Sequence, residues 1–298
     1  MNASIAAIIV NYNAGALLLG SVESLLAVPL DIEIIVVDNA SSDESLGTLP
    51  ESPRIRIVRN SDNLGFSTAC NIGIKAAASA SFLFFLNPDC HFEPEALVSL
   101  MSELRSDEHA GMAGGLLVNE DGSEQEGCRR AIPKPWISFV RAFGLHRLSR
   151  LFPKLFPDFH LHKQLLPDQT VEIEAISGAC MLVKREAMKD VGLWDEAYFL
   201  HCEDMDWCMR FRIKGWKILF VPHARFSHAL GACSRTRHIF VEWHKHKGMI
   251  RFYRKFFRSD YPVILMGFVV LGVWLRFALV VLRHFFRRQI SVALNKLD

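Results

Sequence analysis

Four short apolar runs near the start of the chain each close on an asparagine or aspartate. Ile5–Val10 runs into Asn11-Tyr12-Asn13, Ile32–Val37 into Asp38-Asn39, Ile55–Val58 into Arg59-Asn60, and Phe82–Leu86 into Asn87-Pro88-Asp89. The runs are continuous rather than alternating, which marks strands buried on both faces and hence a largely parallel sheet covered by helices. Helical patterns fill the gaps over Gly15–Leu26, Ser67–Ala78 and Pro94–Leu104, the last with proline in the first turn, where its missing N–H does no harm. A fifth run, Gly115–Val118, follows. The pattern predicts an α/β fold with a mostly parallel central sheet flanked by helices.

A single Asn or Asp after a strand is an ordinary way to open a turn. Four in succession predict one cleft, because ligands of open parallel sheets bind at the carboxyl ends of the strands. The turn after Val10 is Asn-Tyr-Asn-Ala-Gly, not G-x-G-x-x-G, and G-x-x-x-x-G-K-[ST] occurs nowhere. Dinucleotide hydride chemistry and P-loop phosphoryl transfer lose their phosphate cradles accordingly. Composition narrows the choice further. With 298 residues, 22 of them Phe, and balanced charge, the chain is globular. A net charge of +2 argues against a general nucleic-acid binder. Seven cysteines without a C-x-x-C pair, and no leader-like run ahead of Ile5, lead us to expect reduced thiols in the cytosol. Cys202, Cys208, His223 and His228 match no standard zinc spacing.

The ordered set Ile8-Ile9-Val10-Asn11-Tyr12-Asn13, Val36-Val37-Asp38-Asn39-Ala40-Ser41-Ser42-Asp43, Asn63-Leu64-Gly65-Phe66, Asn71-Ile72-Gly73 and Leu86-Asn87-Pro88-Asp89 resembles the family 2 glycosyltransferases of the GT-A fold. Later segments agree: Ser177-Gly178-Ala179-Cys180-Met181, Gly192-Leu193-Trp194-Asp195-Glu196, Glu203-Asp204-Met205-Asp206 with Arg210, and His228 with Gly231 and Ser234. Within the family the pattern is most similar to bacterial rhamnosyltransferases that extend lipid-linked polysaccharide precursors. The resemblance implies a nucleotide-diphospho-sugar transferase domain over residues 1–235, with a basic amphipathic insertion at about 130–165. Residues 236–298 form a basic and hydrophobic helical extension.

The resemblance also implies roles. Asn11, Asn13, Asp38, Asn39, Asn63, Gly65, Asn71, Asn87 and Asp89 would grip the nucleotide sugar, with Asp38 accepting from a pyrimidine N–H. Asp89, with His228, would hold Mg²⁺ or Mn²⁺ against the diphosphate. The family's D-x-D is here Asn87-Pro88-Asp89, which leaves one carboxylate, and a neutral amide oxygen is the weaker ligand for a hard cation. Gly178, Ala179, Trp194 and Arg210 would face the acceptor, although Trp194 suits a core position equally. Asp204 would be the general base, with Glu203 orienting the acceptor. Glu203–Lys214 reads as a helix with acids first and cations last, which complements the helix dipole on structural grounds alone. Neighbouring Glu203 and Asp206 are expected to raise the Asp204 pKa by like-charge repulsion.

Two segments predict contact with lipid. Pro135–Phe156 carries Arg141, Arg147, Arg150 and Lys154 among aromatic and aliphatic residues and no acid, fitting an in-plane amphipathic helix or a surface helix. Pro262–Leu282 is apolar apart from Arg276 and has the length of a span, with basic flanks on both sides. We expect peripheral or monotopic attachment at the cytoplasmic face of a bacterial inner membrane, with a single span as the alternative. The expected partners are a nucleotide-sugar donor, a lipid-linked glycan acceptor and the membrane surface, with no nucleic acid. Readings as a hexosyl- or galactofuranosyltransferase using a UDP or GDP sugar, or as a non-catalytic nucleotide-sugar-binding module, stand beside it.

Overall fold

Period-two packing inside the apolar runs builds the centre of the molecule. Ile5, Ala7 and Ile9, with Ile32, Ile34, Val36, Phe82, Phe84 and Leu86, join one core with Leu18, Val22, Leu25, Leu97 and Leu100. Their neighbours Ala6, Ile8, Ile35, Val37, Leu83 and Phe85 are equally buried, because a second helical layer covers the other face. The computed structural model describes residues 4–77, 79–142, 147–148, 151–152, 161–229 and 237–294.

In chain order the elements are β1 (Ile5–Asn11), α1 (Leu17–Ala27), β2 (Ile32–Asp38), β3 (Ile55–Arg59), α2 (Phe66–Ala76), β4 (Phe82–Leu86), β5 (Cys90–Phe92), α3 (Pro94–Ser106) and β6 (Ala110–Val118). There follow β7 (Arg129–Arg130), α4 (Pro135–Ala142), β8 (Val171–Glu172), β9 (Ala175–Ile176), β10 (Cys180–Lys184), α5 (Arg185–Val191), α6 (Glu203–Ile213), β11 (Lys217–His228), α7 (His238–Phe256) and α8 (Val263–Leu294). Among the described residues the main sheet runs β3-β2-β1-β4-β10-β6-β11-β5, with β8 against β11. β1, β2, β3 and β4 are parallel, and β10 enters antiparallel between β4 and β6. Strands β7 and β9 form a separate two-stranded sheet. This is the α/β layout, with a mostly parallel centre, that the apolar runs predict.

Two compact units are present, Met1–Ile132 with His160–Arg235, and Pro133–Phe159 with Thr236–Asp298. The first contains the sheet. The second contains α4, α7 and α8. Of the basic segment Pro135–Phe156, α4 is described; Phe143, Arg150, Pro153 and Lys154 lie outside the described residues, as do Gly231 and Ser234.

Candidate active site

The carboxyl edge of the parallel strands gathers the acceptor-rich residues. Asn11 pairs with Asp38 in the β1–β2 register. Asn11 Nδ2 donates to Asp38 Oδ1 at 2.8 Å and to Ser45 Oγ at 2.9 Å, while Asn11 Oδ1 is buried with no hydrogen-bond partner. Asp38 also accepts from the Ser41 N–H at 3.2 Å. Asn13 caps the turn by accepting from the Ser42 N–H at 2.7 Å. Asn39 bridges the second and third strand ends: its Nδ2 donates to the Gly65 carbonyl at 3.2 Å and its Oδ1 accepts from Asn60 at 2.8 Å. Asn63 Oδ1 accepts from the Gly65 N–H at 3.0 Å. Gly65 sits at φ +84°, and a Cβ there would fall 2.7 Å from the Phe199 carbonyl, so only glycine fits.

The same edge carries the rest. Asn87, just past β4, donates its N–H to the Ala179 carbonyl at 2.9 Å. The next residue back, Gly178, donates its N–H to Asp204 Oδ2 at 3.2 Å. A Cβ on Gly178 would lie 3.2 Å from Asp204 Cβ, so the small residue makes room for the aspartate itself. Asp38, Asp89 and Asp204, far apart in sequence, therefore stand along one edge of the sheet.

Asp89 and His228 form a buried acceptor pair, with Asp89 Oδ1 3.2 Å from His228 Nε2. The imidazole is oriented by Gln125, a residue sequence reasoning missed. Gln125 donates through Nε2 to the His228 carbonyl at 3.1 Å and to Asn119 Oδ1 at 3.3 Å, which turns its Oε1 toward His228 Nδ1 at 2.6 Å. Nδ1 thus carries a proton, and in the neutral imidazole Nε2 presents a lone pair that accepts from Asn87 Nδ2 at 3.3 Å. A carboxylate oxygen and an imidazole lone pair 3.2 Å apart are a divalent-cation donor set, and an outer residue fixing the tautomer is the usual accompaniment. Asp89, Cys90 and His228 lie close enough to share an ion. Burial pushes the Cys90 thiol well above its ordinary value and its Sγ donates to the Ala179 carbonyl, so it stays a thiol.

At the start of α6 the electrostatics reverse the sequence expectation. Burial acts to raise the Asp204 pKa, but Arg130 pairs with Oδ2, and the N–H groups of Gly178 and Met205 donate to the carboxylate. Together they hold Asp204 below the usual carboxylate range. Glu203 takes the opposite shift: burial first, and then the Asp204 charge, push it up. Asp204 is the ionised member and Glu203 the protonated one. Arg130 was missed because it reaches Asp204 from β7, 74 residues away, through pairing with β9.

Three expected ligand contacts are corrected. Trp194 is 2% exposed, in contact with Trp207 at 4.1 Å and edge-on to Phe85 at 5.2 Å, so its ring lies in the core and cannot stack on an acceptor. Arg210 binds Asp206 at 2.7 Å and the Leu193 carbonyl at 2.8 Å, which ties α6 to the preceding loop. Asn71 donates to the Trp194 carbonyl at 3.0 Å and to Glu196 at 2.8 Å, and accepts from the Trp194 N–H at 3.1 Å. It fixes that loop, leaving no amide group for a nucleotide.

This strand order, with the site at the carboxyl edge, defines a GT-A fold, and a solved neighbour shares it. The mannosyltransferase PcManGT from Pyrobaculum calidifontis, in complex with GDP-Man and Mn²⁺, superposes with a TM-score of 0.58 at 12% identity, covering 99% of this chain and 81% of that one. The family model of glycosyl transferase family 2 matches residues 6–192, and the chain belongs to that family. Among curated relatives, the N-acetylglucosaminyl-diphospho-decaprenol L-rhamnosyltransferase of Mycobacterium tuberculosis is 28% identical over 232 residues, 74% of each chain. The dTDP-rhamnosyl transferase RfbF of Shigella flexneri is 24% identical over 238 residues, 78% of this chain and 71% of that one.

Proposed function

We propose that the chain is an inverting glycosyltransferase that moves rhamnose from dTDP-rhamnose to a hydroxyl of a lipid-linked glycan at the cytoplasmic face of a bacterial inner membrane. The observation that carries it is the ionised Asp204 on the same sheet edge as Asp38 and the Asp89–His228 pair. The names of the two rhamnosyltransferase relatives favour the sugar, and the first of those names favours the lipid-linked acceptor.

In this reading Asp38 and the Asn11, Asn39 and Asn63 network receive the nucleotide end of the donor. Asn11 Oδ1, buried without a partner, is an acceptor available to a ligand N–H. Asp89 and His228 would hold Mg²⁺ or Mn²⁺, which supplies positive charge to offset the leaving diphosphate. Asp204 takes the proton of the acceptor hydroxyl as that oxygen attacks the anomeric carbon and the bond to the diphosphate breaks. Arg130 keeps Asp204 ionised before the acceptor arrives, and protonated Glu203 offers a hydrogen bond that orients the acceptor. One displacement inverts the anomeric centre, and no covalent enzyme intermediate forms.

A panel of nucleotide sugars with Mg²⁺ or Mn²⁺ tests this, read as donor hydrolysis and thermal protection. dTDP-rhamnose is expected to protect and turn over; preference for a UDP or GDP sugar would move the reading to a hexosyl or galactofuranosyl donor. Asp204→Asn is expected to abolish transfer while leaving donor protection intact, and near-normal transfer in that variant would remove Asp204 from the role.

A further inference from the structure

The second compact unit decides between a span and an in-plane anchor. Val263–Phe286 is the one helix among the described residues long and apolar enough to cross a bilayer, with 24 residues and a mean hydropathy of 2.4 over an 18-residue stretch. Arg276, the one charge within its apolar run up to Leu282, does not face outward. Arg276 donates to His246 Nε2 of α7 at 3.0 Å, and the His246 Nδ1–H donates to the Glu242 carbonyl at 2.6 Å. The opposite face of α8 is an unbroken apolar stripe: Ile264, Phe268, Leu271, Leu275, Leu279 and Leu282 are each more than half exposed. Their spacing of three, four and seven residues keeps them on one side of the helix.

Helix α7 runs antiparallel along α8 rather than beyond its end. His238 stacks on His284 at 5.0 Å, Trp243 meets Trp274 at 5.0 Å and Phe277 at 5.6 Å, and His246 meets Arg276. Because the two helices rise equally per residue, this register sets Lys247 beside Val273 and Arg251 beside Val269. Both cations lie alongside the middle of the apolar stretch. Lys247, Arg251, Arg254 and Lys255 are all exposed, at a spacing that puts them in one row on α7, and exposed Arg258 follows just past its end. From His238 to Leu282 the chain carries seven Lys and Arg against two acids.

A transmembrane α8 would carry this basic row into the hydrocarbon, where charges are strongly disfavoured. Lying in the plane places both faces in their preferred surroundings. We propose that α7 and α8 form a monotopic helical hairpin on an anionic phospholipid surface, with the α8 stripe at the acyl boundary and the α7 row against lipid phosphates, and that α8 does not span. The proposal deepens the membrane-surface reading above by naming its lipid and its geometry.

The test uses the full chain added to preformed sealed vesicles of phosphatidylcholine with or without phosphatidylglycerol, read by flotation. Binding is expected to require phosphatidylglycerol and to weaken with salt. Lys247→Glu with Arg251→Glu and Arg254→Glu should lower it by roughly 100-fold, and Leu271→Gln with Leu275→Gln, both on the exposed face, should also release the protein. Ser259→Cys and Ser291→Cys, one before and one near the end of α8, should each react with an impermeant maleimide added outside the vesicles. Protection of Ser291→Cys alone would establish a span. Equal binding to neutral vesicles would overturn the anionic surface, and concentration-dependent self-association in place of vesicle binding would assign the stripe to a second copy. Donor hydrolysis in vesicle-free buffer reports the catalytic reading separately, so either can fail while the other stands.

Discussion

Replacing Glu203 with Gln tests the electrostatics at the start of α6 directly. Glu203 is 8% exposed, its Oε2 is buried with no hydrogen-bond partner, and the Asp204 charge is adjacent. Burial, and then Asp204, raise its pKa from 4.5 to about 8. Between those values the folded chain holds a proton that the unfolded chain releases, so stability falls as pH rises through the window. The slope is at most about 1.4 kcal/mol for each pH unit. Gln keeps the shape and removes the titration. From about pH 5.5 to about pH 7.5 the variant should therefore gain roughly 3 kcal/mol on the wild type, or on the order of 5 °C in Tm for a chain of this size. Thermal unfolding followed by intrinsic fluorescence across that range measures the difference. A Tm gap that stays constant with pH would mean that Glu203 is already ionised at the low end, and the assignment of the proton would be wrong.

Other outcomes follow from the same contacts. Arg130→Gln leaves Asp204 buried beside Glu203 without its counter-charge, so its pKa should rise and the acid limb of the pH–rate profile should move upward. Breaking that pair is also expected to destabilise the fold by roughly 3–5 kcal/mol, measured by denaturant unfolding. Gln125→Leu removes the acceptor that fixes the His228 tautomer and should weaken Mn²⁺ binding by about 10–100-fold in titrations with nucleoside diphosphate present; unchanged affinity would show that His228 orients without it. Asn71→Ala orphans the Trp194 N–H and carbonyl and should lower stability by about 2–4 kcal/mol, with nucleotide affinity little altered in calorimetry.

The parallel half of the fold was legible because β1, β2 and β4 are buried on both faces, and such strands must be continuously apolar. The start of β6 was not. Read from sequence the run begins at Gly115, yet the strand starts at Ala110, because the preceding residues are glycine, alanine and one methionine. Their smallness reflects tight packing: a Cβ on Gly111 would fall 2.9 Å from Ala187 Cβ, and one on Gly114 would fall 2.7 Å from Ile176 Cδ1. Strand ends announced the site edge, since Asn and Asp are conspicuous after apolar runs. Gln125 and Arg130 announced nothing, because their partners are 103 and 74 residues away. The direction of the Asp204 shift was misjudged for the same reason: local sequence contains the like charges of Glu203 and Asp206 but not the Arg130 guanidinium that outweighs them. Arg210 is a different case. Its spacing of four from Asp206 on a helix is a structural pair readable in advance.

Backbone strain marks the same edge independently of any side-chain role. Among the described residues, Asn13, Ala40, His201 and Cys202 are the non-glycine positions with positive φ, at 53°, 61°, 68° and 71°. Asn13 and Ala40 follow β1 and β2, and His201 and Cys202 lead into Glu203 and Asp204. Each such residue costs on the order of 1–3 kcal/mol and persists only where its surroundings over-determine it. Here they do. Asn13 is held through Ser41 and Ser42, and α6 is anchored through its own Trp207, whose Nε1 donates to the Gly192 carbonyl at 2.9 Å. The Asn71 and Arg210 contacts lock the loop that carries Trp194. Residues whose side chains are engaged within the protein, such as Asn71 and Arg210, therefore act at one remove from the site. In the proposed reading, the Ser41 and Ser42 contacts hold the turns after β1 and β2 while the locked Trp194 loop precedes the turn into α6, so that Asp38 and Asp204 would be positioned before any donor arrives and binding energy need not be used to arrange them.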